Sequence, residues 1–215
     1  MATDRRHVAK GPLTDFLVER VADAYVRLLR ELPRTSRLLD LVPSLMGKGE
    51  LDARIRRAIL QRLPATPLLP ALSAPAPVVQ TPSFADERVY EPDAEWRVEH
   101  PAPEPEGDGW VVAGREAAVV PGASAEFLAA IAGFVPGLLP AGWNARHPAM
   151  AALGVRRVEL ADVVDLLSGE AVEGREPSWW RSLYEVLPAD DPESLGALPV
   201  PLTDGRLVRG PPEAL

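Results

Sequence analysis

Apolar residues recur at steps of three and four near the start of the chain: Leu13, Phe16, Leu17, Val21, Ala24, Tyr25, Leu28, Leu29 and Leu32. That is the period of a helix with one buried face. Thr14 or Asp15 is placed to cap its start, and Pro33 ends it. A short helix around 36–41 follows, and a third runs over about 50–63 with Leu51, Ile55, Ile59 and Leu63 inward. Arg54, Arg56, Arg57 and Arg62 fall elsewhere on that helix, which reads as a solvated face.

From Pro64 the period disappears. Prolines come every few residues, and each deletes an amide donor and clashes with the preceding turn, so 64–109 cannot be a regular helix. It reads as a proline-rich acidic linker or loop, with strand candidates only at Arg88-Val-Tyr90 and Trp96-Arg-Val98. The piece 101–109 reads as a flexible surface loop.

Trp110-Val-Val112 and Glu116-Ala-Ala-Val-Val120 predict a hairpin closed through Ala113-Gly114-Arg115. Ser124 caps a helix with Phe127, Leu128, Ile131, Phe134 and Val135 on one face. His147-Pro148 opens another, ended by Gly154. A brief strand over 155–160 precedes a helical stretch over 161–167, with Val163, Val164 and Leu167 inward.

Trp179-Trp180 begins an amphipathic helix over 177–187. Adjacent residues point about a hundred degrees apart on a helix, so Trp180 joins the buried stripe with Leu183, Tyr184 and Leu187. Trp179 is then peripheral, half-buried or part of an interface. A hairpin follows, turning at Asp204-Gly205. A two-residue loop pairs Leu202 with Leu207, and a three-residue loop pairs Val200 with Val208. Pro199 and Pro201 mark its first strand as an edge.

The expected class is α+β: an N-terminal helical subdomain over 1–63, the linker or loop over 64–109, and an α+β subdomain over 110–215 with short antiparallel hairpins packed against short helices.

Charge is uneven. Residues 1–62 hold 13 Lys or Arg against 8 Asp or Glu, whereas 63–109 hold 2 against 9. The chain as a whole carries −8, which argues against a phosphate-binding role, so no nucleic-acid partner is expected. There is no cysteine, which removes disulfides and thiolate chemistry and fits a reducing cytoplasm. No run is long and apolar enough to cross a bilayer, so no membrane partner is expected.

Candidate chemistry is sparse. His7, His100 and His147 sit in unlike contexts without metal-ligand spacing. The serines lack a glycine-flanked elbow, and no glycine-rich loop follows a strand. Catalytic, cofactor-binding and metal-binding residues are therefore none. The residues singled out for interaction are Trp179 and the turn of Trp143, Arg146 and His147, for which helix-start packing is the leading reading.

With Trp179-Trp-Arg-Ser-Leu-Tyr184 and Leu195-Gly-Ala-Leu-Pro-Val-Pro-Leu-Thr-Asp-Gly-Arg-Leu-Val208 in view, the chain resembles the large actinobacterial sacsin-like proteins. Asp4-Arg-Arg-His-Val-Ala-Lys-Gly-Pro-Leu-Thr-Asp-Phe-Leu-Val-Glu-Arg20, Leu63-Pro-Ala-Thr-Pro-Leu-Leu-Pro70 and Leu138-Leu-Pro-Ala-Gly-Trp143 through Gly154-Val-Arg-Arg157 agree with the same family. Those proteins begin with a GHKL-type ATP-binding domain shared with the ninety-kilodalton heat-shock chaperone. Its acidic catalytic residue, magnesium-binding asparagine and glycine-rich lid motifs have no counterpart in this sequence. The resemblance thus implies an internal fragment or truncated frame, the region after the ATP-binding domain. It implies no cofactor in this chain, with ATP and magnesium only in the missing neighbour. The implied partner is a protein or client, a GHKL ATPase domain among the candidates.

Overall fold

The computed structural model describes residues 11–44, 46–76, 109–167, 172, 174–188, 195–202 and 207–209. The fold is α+β. The strand candidates at 88–90 and 96–98, most of the 101–109 loop, the turn at Asp204-Gly205, and His7 and His100 lie outside the described residues.

Helix α1 spans Pro12–Glu31 and stops before Pro33 as expected. Its start differs: Gly11 occupies the cap position without a side-chain bond, Pro12 supplies the preset first turn, and Thr14 and Asp15 lie inside the helix. Helix α2 spans Glu50–Arg62. Arg54 pairs with Asp15, while Arg62 pairs with Glu19 and, at 2.9 Å, with Asp23. These pairings advance together along both helices, so α1 and α2 run in the same direction. The two carboxylates, Glu19 first, hold the Arg62 guanidinium more firmly protonated than usual. Arg54 and Arg62 are therefore an inter-helix seam, not the solvated face expected of them.

That seam runs beside the side of α1 that is buried. Val18, Ala22 and Leu29 enter the core with Tyr25 packed beside them, at i, i+4, i+7 and i+11. Of the stripe expected to be inward, Leu29, Tyr25 and Leu32 pack, but the rest is outward: Leu13 is 70% exposed, Phe16 58%, Leu17 51%, Val21 46% and Leu28 55%. Helix α1 carries apolar residues around much of its circumference. The side beside the acids that meet the arginines of α2 is the one that packs.

Strand β1, Pro67–Ala71, lies within the stretch expected to be linker or loop, and Leu68, Leu69 and Ala71 are core. It pairs antiparallel with β2, Trp110–Ala113. Its prolines are tolerated because the ladder has only two strands, so each is an edge. The expected hairpin between 110–112 and 116–120 does not form. Residues 114–116 make a 3-10 turn in which Ala113 N–H donates to the Glu116 carboxylate at 3.2 Å. Gly114 presses so close to the Leu153 carbonyl that a Cβ would lie 2.1 Å from its oxygen. The chain is thus diverted from β2, and β3, Ala118–Val119, pairs in parallel with β4, Arg156–Arg157.

Around β3 four backbone segments are stitched side by side. Leu72 N–H bonds the Leu138 carbonyl at 2.7 Å and Gly137 N–H that of Ala74 at 2.9 Å. Ala118 N–H reaches Gly137 and Leu139 N–H reaches Ala118, both at 2.8 Å. Arg156 and Val158 donate to Ala117 and Val119, both at 3.0 Å. Because alternate strand residues face opposite sides, Ala117, Val119 and Leu139 enter one core while Ala118, Val120 and Leu138 enter the other. The first core takes α1, α2, β1, β2 and α4 (Pro148–Leu153). The second takes α3 (Ala125–Ile131), α5 (Leu160–Leu167) and α6 (Pro177–Val186). The apolar run 117–120 is a partition buried on both faces, the pattern of a central strand.

Strands β5, Pro199–Pro201, and β6, Leu207–Arg209, form the C-terminal hairpin with Val200 opposite Val208, one of the two expected registers. Tyr184 O–H donates to the Pro199 carbonyl at 2.6 Å and ties α6 to β5. Burial raises the Tyr184 phenol above its ordinary value of 10.0. The folded chain therefore holds that proton more tightly than the unfolded one. The contribution is complete below pH 10.0 and is lost as pH rises through the higher folded value. Tyr184→Phe should lower stability by about 1 kcal/mol in urea denaturation at neutral pH. It should also flatten the alkaline decline, and a variant with the parental midpoint would deny the bond any role.

Candidate functional site

The turn containing Trp143, Arg146 and His147 forms as a unit. Asn144 Oδ1 accepts the Arg146 N–H at 3.0 Å, and the Asn144 carbonyl accepts that of His147, also at 3.0 Å. This side-chain turn feeds α4 directly. His147 Nδ1 accepts the Ala149 N–H at 3.2 Å and so caps the helix. Nε2 faces Asp40 Oδ1 at 3.6 Å. With Nδ1 accepting, the neutral ring carries its proton on Nε2, the nitrogen turned to that carboxylate. His147 acts here as a helix cap, which leaves it poorly placed to serve as a free base. Trp143 is buried on the first core, and Arg146 is exposed.

Beside Trp143 lies a depression of about 300 Å³ lined mainly by Val119, Leu128, Leu139, Pro140, Gly142 and Asn144. Asn144 and the indole N–H of Trp143 are the polar side-chain groups among the described lining residues. The exposed lining is nonetheless more polar than apolar, and the described side chains that line it offer no acid–base pair.

Trp179 is elsewhere, at the margin of the second core. It is half-buried, as expected, while Trp180 is fully buried with Leu183. The Trp179 ring lies 5.6 Å from Phe134 and 4.9 Å, edge-on, from Trp180. The Arg175 guanidinium sits 5.5 Å from both the Phe134 and the Trp179 ring centres. A cation over two aromatic faces is held by their quadrupoles and keeps the rings in fixed orientation. Phe134 and Arg175 were not among the expected site residues. Phe134 had been assigned to a helix face, and Arg175 is separated from Trp179 by Pro177, so no single period links them.

The four residues thus do not converge: Trp143 and Trp179 belong to different cores. Among the described residues no group of three or more His, Asp or Glu could hold a metal ion, and no helix is long and apolar enough to cross a membrane. The Lys48 N–H, and then Arg56, hold the Asp52 carboxyl below its ordinary value. It closes the start of α2 and lies far along the sequence from both sites. No protein-family model, no curated protein and no solved structure matches the chain.

Proposed function

We propose that this chain is a cytoplasmic, non-catalytic segment of a sacsin-like, heat-shock-chaperone-like ATPase protein, and that it offers a surface to a protein partner or client. ATP and magnesium belong to the neighbouring GHKL domain in this reading. It rests on the sequence resemblance, and one observation supports the binding role. The Trp179, Phe134 and Arg175 cluster leaves a large, rigid aromatic face half open at the edge of a packed core, the kind of residue set from which interface anchors are drawn.

The test joins two titrations. Calorimetry of this chain with ATP and magnesium should give no micromolar binding, and a micromolar constant overturns the proposal. A purified GHKL ATPase domain should bind the chain, and Trp179→Ala should weaken that binding by about tenfold, a typical effect of truncating an aromatic anchor. The second reading, a free-standing protein–protein interaction module, is favoured if Trp179→Ala abolishes capture of a partner that is not such a domain.

A further inference from the structure

The depression beside Trp143 opens where a backbone ladder stops. Ala118 pairs in parallel with Leu138, and the rungs run from Ala118 N–H to the Gly137 carbonyl and from Leu139 N–H to the Ala118 carbonyl. The next rung of such a ladder joins Val120 N–H to the Leu139 carbonyl, because alternate residues of a parallel strand turn their amides to the same edge. Neither group has a backbone partner among the described residues. Val119, Val120, Leu139 and Pro140 border the depression instead. It therefore lies past the carboxyl ends of two parallel segments, which is where parallel sheets receive their ligands.

Trp143 supplies a second open group. It is 9% exposed, and its indole N–H donates to nothing among the described residues, where no buried side-chain nitrogen or oxygen lacks a partner. That N–H edge is thus the part of the ring left open, on a residue that borders the depression. Asn144 adds a third: Oδ1 accepts the Arg146 N–H, and Nδ2 donates to nothing among the described residues. No ionised side chain lines the space, and Arg146, two residues on, is not part of the lining. We infer that the depression binds a small neutral molecule carrying a primary carboxamide. Its oxygen accepts from the N–H groups of Trp143, Asn144 and Val120, and its own N–H donates to the Leu139 carbonyl. An ionised ligand is disfavoured because nothing in the lining offsets its lost hydration. An ester or ketone is disfavoured because it leaves the Leu139 carbonyl unmatched. The volume of about 300 Å³ admits one ring or a short branched chain. The site is separate from the Trp179 cluster.

The probe is benzamide, titrated into the isotopically labelled full chain and followed by nuclear magnetic resonance at the Trp143 indole N–H and the Val120 amide. Both signals should move together with a dissociation constant on the order of 1 mM. Asn144→Asp should weaken binding by about tenfold, because it removes the Nδ2 donors and turns an oxygen toward the ligand. It keeps the oxygen that accepts the Arg146 N–H, so it should retain the parental thermal melt, which separates lost binding from lost folding. Trp143→Phe should weaken binding by about threefold to tenfold, read at Val120. Benzylamine should not bind, and benzoate should bind about tenfold more weakly or worse. The inference is overturned if benzamide moves neither signal, if benzoate or benzylamine matches it, or if Asn144→Asp binds it as the parent does. Acetylglutamine methylamide presents the same group from a peptide. Tighter binding of that probe than of benzamide would also overturn the inference, assigning the depression to a partner protein's side chain.

Discussion

Gly137→Ala should abolish the cooperative fold. Gly137 has φ +67, in the left-handed region that costs other residues about 1–2 kcal/mol. The larger cost is contact, because a Cβ there would lie 1.9 Å from the Glu116 carbonyl oxygen and 3.2 Å from the Ala117 Cα. Both are backbone atoms and cannot rotate aside. The residue cannot retreat either: its N–H is bonded to Ala74 and its carbonyl to Ala118, so any shift breaks the stitching between segments. A substitution that combines strain with a backbone clash belongs to the class costing more than about 4–5 kcal/mol, against a typical total of about 5–15. Gly122→Ala is the control. It has φ +70 but open space around its Cβ, so it should lose only about 1–2 kcal/mol. Circular dichroism melting distinguishes them, and a Gly137→Ala chain melting with the Gly122→Ala chain would refute the clash.

Trp180→Ala carries the second largest effect. The side chain is 1% exposed and packs into the second core with Leu183 and Ile131. Replacing such a residue removes its transfer free energy and leaves a cavity, about 3–5 kcal/mol in all. Trp179→Ala, on the neighbouring residue but only partly buried, should cost less, about 1–3 kcal/mol, because part of its area stays in water. Urea midpoints measure both. Equal shifts would mean that the indoles share burial, contrary to the structure.

The division between those two tryptophans could be read from the sequence because Trp180 lies on the apolar stripe of α6, although Tyr184, expected on the same buried stripe, is 38% exposed with its hydroxyl turned to the Pro199 carbonyl. The same holds for Ser124, which caps α3 by accepting the Phe127 N–H at 3.1 Å, and for Gly154 at φ +76. Helix α1 was harder. Periodicity located its apolar residues, but α1 has two apolar stripes, and the one that packs lies beside carboxylates that meet arginines 39 and 43 residues away, which no local pattern shows. Strand β2 was harder for the same reason: its partner, β1, lies beyond the whole of 77–108, and local pattern favoured the nearer run 116–120. Of the site, the local turn at Trp143 and the exposure of Trp179 were readable. The Arg175 and Phe134 partnership was not, because it joins side chains that share no element.

The partition strand has a further meaning. A chain with two cores usually lets each settle into its own spacing, but here one backbone is floor to the first and ceiling to the second. Any displacement that Val119 accepts to relieve crowding on its side moves Ala118 and Val120 on the other. Residues 117–120 are thus backbone that the core of α6 and the core of α4 hold in common, so a repacking substitution in one core is expected to register in the other.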